Sequence, residues 1–123
     1  MTRLSLVLAL LVTACTAPRS GGIEHAVFVW LKRPGNEVDR AALVEGTKQL
    51  QKSTGLITSF RHGTPVSSAR PVVDDSFDLA LLMRFQSRAA LAAFETHPDH
   101  LRAKKELLQP LARKVLIYDV ALD

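Results

Sequence analysis

Apolar positions alternate along Glu24 to Lys32, with His25, Val27, Val29 and Leu31 on one side of an extended chain and Ala26, Phe28 and Trp30 on the other. Period-two alternation predicts a strand, and both faces of this one are apolar. Pro34-Gly35-Asn36 is turn chemistry, and Asn36 can cap a helix running to about Ser53, with Val38, Ala42, Leu43 and Leu50 as its apolar stripe and Gly55 as its stop. Ile57 to Thr64 predicts a second strand. Residues 65–76, with Pro65, Pro71 and Asp74-Asp75, have loop composition over a longer span than most connections. Phe77 to Phe85 predicts a third strand, with Leu79, Leu81 and Met83 facing one way and Asp78, Ala80 and Leu82 the other. Ser87 caps a helix through Thr96 that points Leu91 and Phe94 inward. Pro98 then starts a further helical piece, capped by His97 or Thr96 and reaching about Gln109, with Leu101, Leu107 and Leu108 as its apolar residues. Val115 to Leu122 predicts the last strand.

Strand, helix, strand, strand, helix with its continuation, strand is the order of a ferredoxin-like α+β domain: a four-stranded antiparallel sheet with helices on one face. The other face then carries Ala26, Phe28, Trp30, Ala80, Leu82, Leu116 and Tyr118, an apolar patch larger than monomers usually leave in water. A second copy packed sheet to sheet through a two-fold interface covers it and forms a dimeric α/β barrel. Burying about 800 Å² of apolar area per partner contributes on the order of 20 kcal/mol before association costs, enough to drive the pairing.

Composition changes this picture little. With 123 residues, 47% hydrophobic and 23% charged, the chain has room for one globular core. The net charge of +4 is scattered: Lys32-Arg33, Lys104-Lys105 and Arg113-Lys114 have no aromatic residues interleaved to stack bases, so no nucleic-acid partner is expected. The N-terminus is different in kind. Arg3, the apolar run Leu4 to Val12 and the small residues Thr13 and Ala14 read as a secretory signal over residues 1–14, too short to span a bilayer. Cys15, the one cysteine in the chain, has no intramolecular partner for a disulfide. Val12-Thr13-Ala14-Cys15 resembles the lipobox of bacterial lipoproteins, which implies lipidation of Cys15 and attachment to the lipid bilayer at the cell envelope. In a Gram-negative cell, Thr16 after the cysteine implies the periplasmic face of the outer membrane. Residues 15–22, with Pro18, Ser20, Gly21 and Gly22, read as the lipidated cysteine and a flexible tether, and 23–123 as the domain.

Glu24-His25-Ala26-Val27, Gly55-Leu56-Ile57, Phe60 to Gly63, the Asp75 to Phe85 strand, His97-Pro98-Asp99-His100-Leu101 and Val115 to Asp119 occur in an order and spacing that resemble the stress-responsive A/B barrel (Dabb) domain family, over about Ile23 to Val120. The resemblance implies a homodimeric barrel with a cavity between sheet and helices in each subunit. It also implies a candidate catalytic base: in the branch of olivetolic acid cyclase, which closes a polyketide chain by an aldol reaction, the catalytic histidine matches His100. That enzyme's tyrosine partner aligns with Phe94, which has no hydroxyl, and a second pocket histidine aligns with Leu79.

On strand parity, His25 shares a face with Val27 and Val29, and the helix bearing Phe94 should cover it together with Leu79, Leu81, Val115 and Ile117. His97 and His100 are three residues apart at a helix start and point in neighbouring directions. The expected site is therefore an apolar cavity with His25, His97 and His100 at its mouth, and no metal or cofactor is assigned. His62 reads as an exposed strand-end residue without a role. Three functions remain open: a lipid-anchored homodimer that binds a small apolar or aromatic ligand, an acid/base enzyme with His100 as base, and a structural, stress-associated dimer without a ligand.

Overall fold

The computed structural model describes residues 21–123; the expected signal segment at 1–14, Cys15 and the expected tether as far as residue 20 lie outside the described residues. Four strands, β1 (Ile23–Leu31), β2 (Ile57–Gly63), β3 (Leu79–Phe85) and β4 (Ala112–Ala121), form one sheet in the order β2-β3-β1-β4. Every pairing is antiparallel. Helix α1 (Glu37–Thr54) joins β1 to β2, and α2 (Arg88–Glu95) and α3 (Pro98–Ala103) follow β3. The α3 turns run on through a π-helical turn, Lys104–Leu108, and a last turn α4 (Gln109–Leu111) into β4. This is the ferredoxin-like α+β fold.

The core lies between the helices and one sheet face, where Val27, Val29 and Leu31 of β1 and Leu79, Leu81, Met83 and Phe85 of β3 meet Leu43, Leu91 and Phe94. Its register follows from the antiparallel ladder, which sets His25 opposite Met83 on one side and Asp119 on the other. Asn36 caps α1 by accepting from the Asp39 N–H, and Gly55 closes it at φ 65°, a left-handed conformation that glycine adopts without steric cost.

Several details depart from the sequence pattern. On α1 the buried stripe is Asp39, Leu43 and Thr47, whereas Val38 is exposed. Two polar residues tolerate burial there because both are paired: Arg33 donates twice to the Asp39 carboxylate, and the Thr47 hydroxyl donates to the Leu43 carbonyl. Leu101 is exposed while Leu107 and Leu108 pack on the core, because the wider π turn between them rotates the apolar face. Strand β3 begins at Leu79, not Phe77; just before it the Asp78 N–H still donates to the Val29 carbonyl, while its carboxylate accepts from the Leu31 N–H at 2.8 Å and the Gly35 N–H at 2.7 Å. Strand β4 begins at Ala112, three residues earlier than the apolar run, paired across a bulge at Trp30 and Leu31.

The open face of the sheet is also less bare than expected. The end of the 64–78 connection folds over it, setting Phe77 edge-on against Phe28 and Trp30, and the Trp30 indole donates to the Ser76 hydroxyl at 3.0 Å. Trp30 and Ala80 are buried in consequence. What stays uncovered is centred on β4, the edge strand, where Leu116, Tyr118 and Val120 are all exposed.

Candidate functional site

A cavity of about 330 Å³ lies between the sheet and the helices, with Val27, Leu81 and Met83 as its sheet wall and Leu43, Leu50 and Leu107 on the opposite side. It is apolar because strand parity puts the even sides of β1 and β3 outward and leaves these side chains inside. Val115 and Ile117 of β4, the edge strand, complete the sheet wall but remain 37% and 46% exposed. Gly46 lines the cavity from the middle of α1. Glycine costs a helix interior roughly 1 kcal/mol relative to alanine, and its use here has a steric reason: a side chain at Gly46 would collide with the end of Leu107.

Two imidazoles reach this cavity. His25 is buried, its ring edge-on to Phe85 and Phe94, and its Nδ1 meets the Asp119 carboxylate at 2.5 Å. With Nδ1–H donated to Asp119, the ring is oriented and Nε2 is left as its second polar atom. His100 stacks on Phe94 with ring centroids 4.2 Å apart, and its Nδ1 lies 3.4 Å from the Glu95 carbonyl. Burial pushes the His100 imidazole below the ordinary histidine range, against the pull of the Glu95 carbonyl, and the charges of Lys104 and His25 push the same way. Phe94 therefore separates and positions both rings.

The structure brings His25, Val27, Leu81, Phe94, His100, Val115 and Ile117 together around the cavity. Val29, Leu79 and His97 stand apart from it, and their expected place on its wall is corrected. Val29 and Leu79 lie farther along the sheet, sealed in the core at 0% and 2% exposure. His97 caps α3, its Nδ1 accepting from the Asp99 N–H at 3.1 Å, so its ring is turned to the helix start. Asp99 beside it is held below the usual carboxylate range, first by the Ser53 hydroxyl and then by His97 and Arg102, which ties this corner to the end of α1. Among the described residues no three histidine, cysteine or acidic side chains are grouped as metal ligands. Asp119 went unassigned at the sequence level. Its signal was present, since it shares the parity of Val115 and Ile117, but only the β1–β4 register places it opposite His25.

The His100 shift gives a pH dependence. Because the folded state holds His100 below its unfolded value of about 6.5, the unfolded chain takes up the proton first on acidification. This group's contribution to stability is thus complete above that value and is lost as pH falls through the folded one. Urea unfolding between pH 7.5 and 5 should show a shallower acid loss for His100→Gln than for the parent; equal slopes would refute the assignment.

Residues 23–122 match the family model described as the Stress responsive A/B Barrel Domain, Dabb. A stress-response A/B barrel domain-containing protein of Arabidopsis thaliana is 27% identical over 115 residues, covering 91% of this chain and 41% of that protein, so the chain spans less than half of its relative's length. A dimeric ferredoxin-like protein of unknown function from Jannaschia is 25% identical with a TM-score of 0.60, covering 83% of this chain and all of the other. Hydroxynitrile lyase from Passiflora edulis shares the fold at 22% identity and a TM-score of 0.70, over 82% of this chain and 93% of the lyase.

Proposed function

The chain belongs to the stress responsive A/B barrel domain family, and from that premise we propose that it is a homodimeric module binding one small, largely apolar or aromatic molecule per subunit. The observation that carries this reading is the 330 Å³ cavity itself, which has the size of a small-ligand site and an apolar wall with few polar groups, His25 and His100 chief among them. N-phenyl-1-naphthylamine, a neutral fluorophore that brightens in apolar sites, is the probe. Gly46→Leu should fill the cavity and weaken its binding about tenfold or more, since each 1.4 kcal/mol of lost contact is a factor of ten. The helix gains propensity from this change but the flexible end of Leu107 must turn aside to admit the side chain, so circular dichroism of the variant is read alongside the titration. Unchanged fluorescence titration in Gly46→Leu would show that the dye sits elsewhere.

Dimerisation rests on the apolar side chains left exposed on β4 and on the dimeric state of the Jannaschia relative. A two-fold packing of the open sheet faces would cover Leu116, Tyr118 and Val120. Sedimentation of the unlipidated domain should then give twice the subunit mass, and a stable single subunit at micromolar concentration would overturn it. We further propose attachment to the cell-envelope membrane through Cys15, on the strength of residues 12–15; palmitate labelling that persists in Cys15→Ser refutes it.

A second reading, acid/base catalysis, is favoured by one specific observation: the buried His25 imidazole is oriented by a carboxylate, an arrangement that fixes a ring for proton transfer. His100, whose neutral form burial favours, is the second proton-handling group lining the same cavity. The test is hydrogen–deuterium exchange at the carbon beside the carbonyl of 4-phenyl-2-butanone in deuterated water. Accelerated exchange that disappears in His25→Gln and in His100→Gln supports an enzyme, whereas a background rate in the parent protein leaves binding alone.

A further inference from the structure

Arg40 carries the only buried side-chain polar atom among the described residues that lacks a hydrogen-bond partner, its guanidinium Nε. No hydrogen bond or ion pair engages the rest of the Arg40 guanidinium among the described residues, so its remaining N–H groups are unspent donors. Arg40, Val44 and Lys48 recur at four-residue intervals and share one face of α1. Together with the end of β2, that face borders an open groove of about 390 Å³, on a different side of α1 from the cavity.

Its chemistry is that of an anion site. Arg40 and Lys48 supply two cations, Thr64 a hydroxyl and His62 an imidazole, all able to donate. Neither Arg40 nor Lys48 has an ion-pair partner among the described residues. The rim also carries one carboxylate, Glu45, which accepts from the Gln49 amide at 3.2 Å, so the two cations exceed it by one charge. The floor is apolar through Val44 and Leu79, and at Gly63 no atom lies within 4 Å of where a side chain would begin, so the groove is open there.

We infer that this groove binds a phosphate monoester, its oxyanion held by Arg40 and Lys48 and its organic group laid on Val44 and Leu79. A dianion with three terminal oxygens suits two cations and further donors better than a carboxylate does, and Arg40 presents a fork that can grip two of those oxygens. The volume exceeds that of bare phosphate, which gives the ester's organic group a place.

The full-length protein is titrated with phenyl phosphate and with inorganic phosphate, by calorimetry and by the NMR signals of His62 and Thr64. Phenyl phosphate should bind more tightly than inorganic phosphate and shift both signals. Arg40→Gln and Lys48→Gln should each weaken it about tenfold or more, the usual scale for a hydrogen bond to a charged group. Arg61→Gln, which removes a guanidinium paired with Glu24 on the other sheet face, should leave the affinity unchanged. Lys48 is exposed, so its variant reports even if Arg40→Gln folds poorly. Affinity that survives both variants, equal affinity for the two phosphates, or shifts confined to other residues would overturn the assignment, as would the absence of binding at millimolar phenyl phosphate. Because N-phenyl-1-naphthylamine addresses the other cavity, its binding should be untouched by Lys48→Gln.

Discussion

Phe94→Ala is expected to lower the unfolding free energy by about 3–5 kcal/mol, the range for truncating a fully buried aromatic ring. Phe94 is 1% exposed and touches three rings: it packs against Phe85 at 5.0 Å, meets His25 edge-on and stacks on His100. Its loss removes apolar burial, leaves a void beside the cavity and frees His100 from the surface that places it. Two measurements separate these effects. The urea midpoint should fall with little change in slope, and the His100 ring proton signals should move toward those of a solvated imidazole. Phe94→Leu keeps most of the volume and should recover much of the stability without restoring the stacking. A loss below about 1 kcal/mol for Phe94→Ala would mean that the ring is not the packing centre described.

Asp78→Ala should produce the second large loss, about 1–3 kcal/mol, for a different physical reason. The Leu31 N–H, from a residue with no exposed surface, has the Asp78 carboxylate as its acceptor, and the Gly35 N–H uses the other carboxylate oxygen. Removing the side chain strands a buried donor and releases the turn that leads into α1. Asp78→Asn retains one acceptor oxygen and should cost clearly less. Denaturation of the two variants side by side checks the order, and an alanine variant no less stable than the asparagine one contradicts it.

Both predictions bear on what could be read in advance. Phe94 was legible, since its spacing from Leu91 after the Ser87 cap marks an inward helix face. Asp78 was not, because alternation assigns it to the open sheet face and gives no hint that its carboxylate serves the Leu31 and Gly35 N–H groups. Histidines 25 and 100 were legible as a pair on one cavity. His97 was separated from them only by the cap it makes to Asp99, a choice of rotamer that spacing does not encode. The buried stripe of α1 shows the same limit, as Asp39 and Thr47 are polar in sequence and buried in the fold only because Arg33 and the Leu43 carbonyl pair with them.

Local pattern alone determined the element order, the caps at Asn36 and Ser87, the left-handed stop at Gly55 and the sheet face on which His25 lies. These follow from period, capping and glycine conformation, interactions that span a few residues and so are written in consecutive positions. Tertiary structure alone decided the register that brings Asp119 to His25 across 94 residues, the π turn that seats Leu107 over Gly46, and the burial of the Arg40 Nε without a partner. Such features depend on which distant surfaces meet and in what alignment, and no stretch of the chain specifies that by itself.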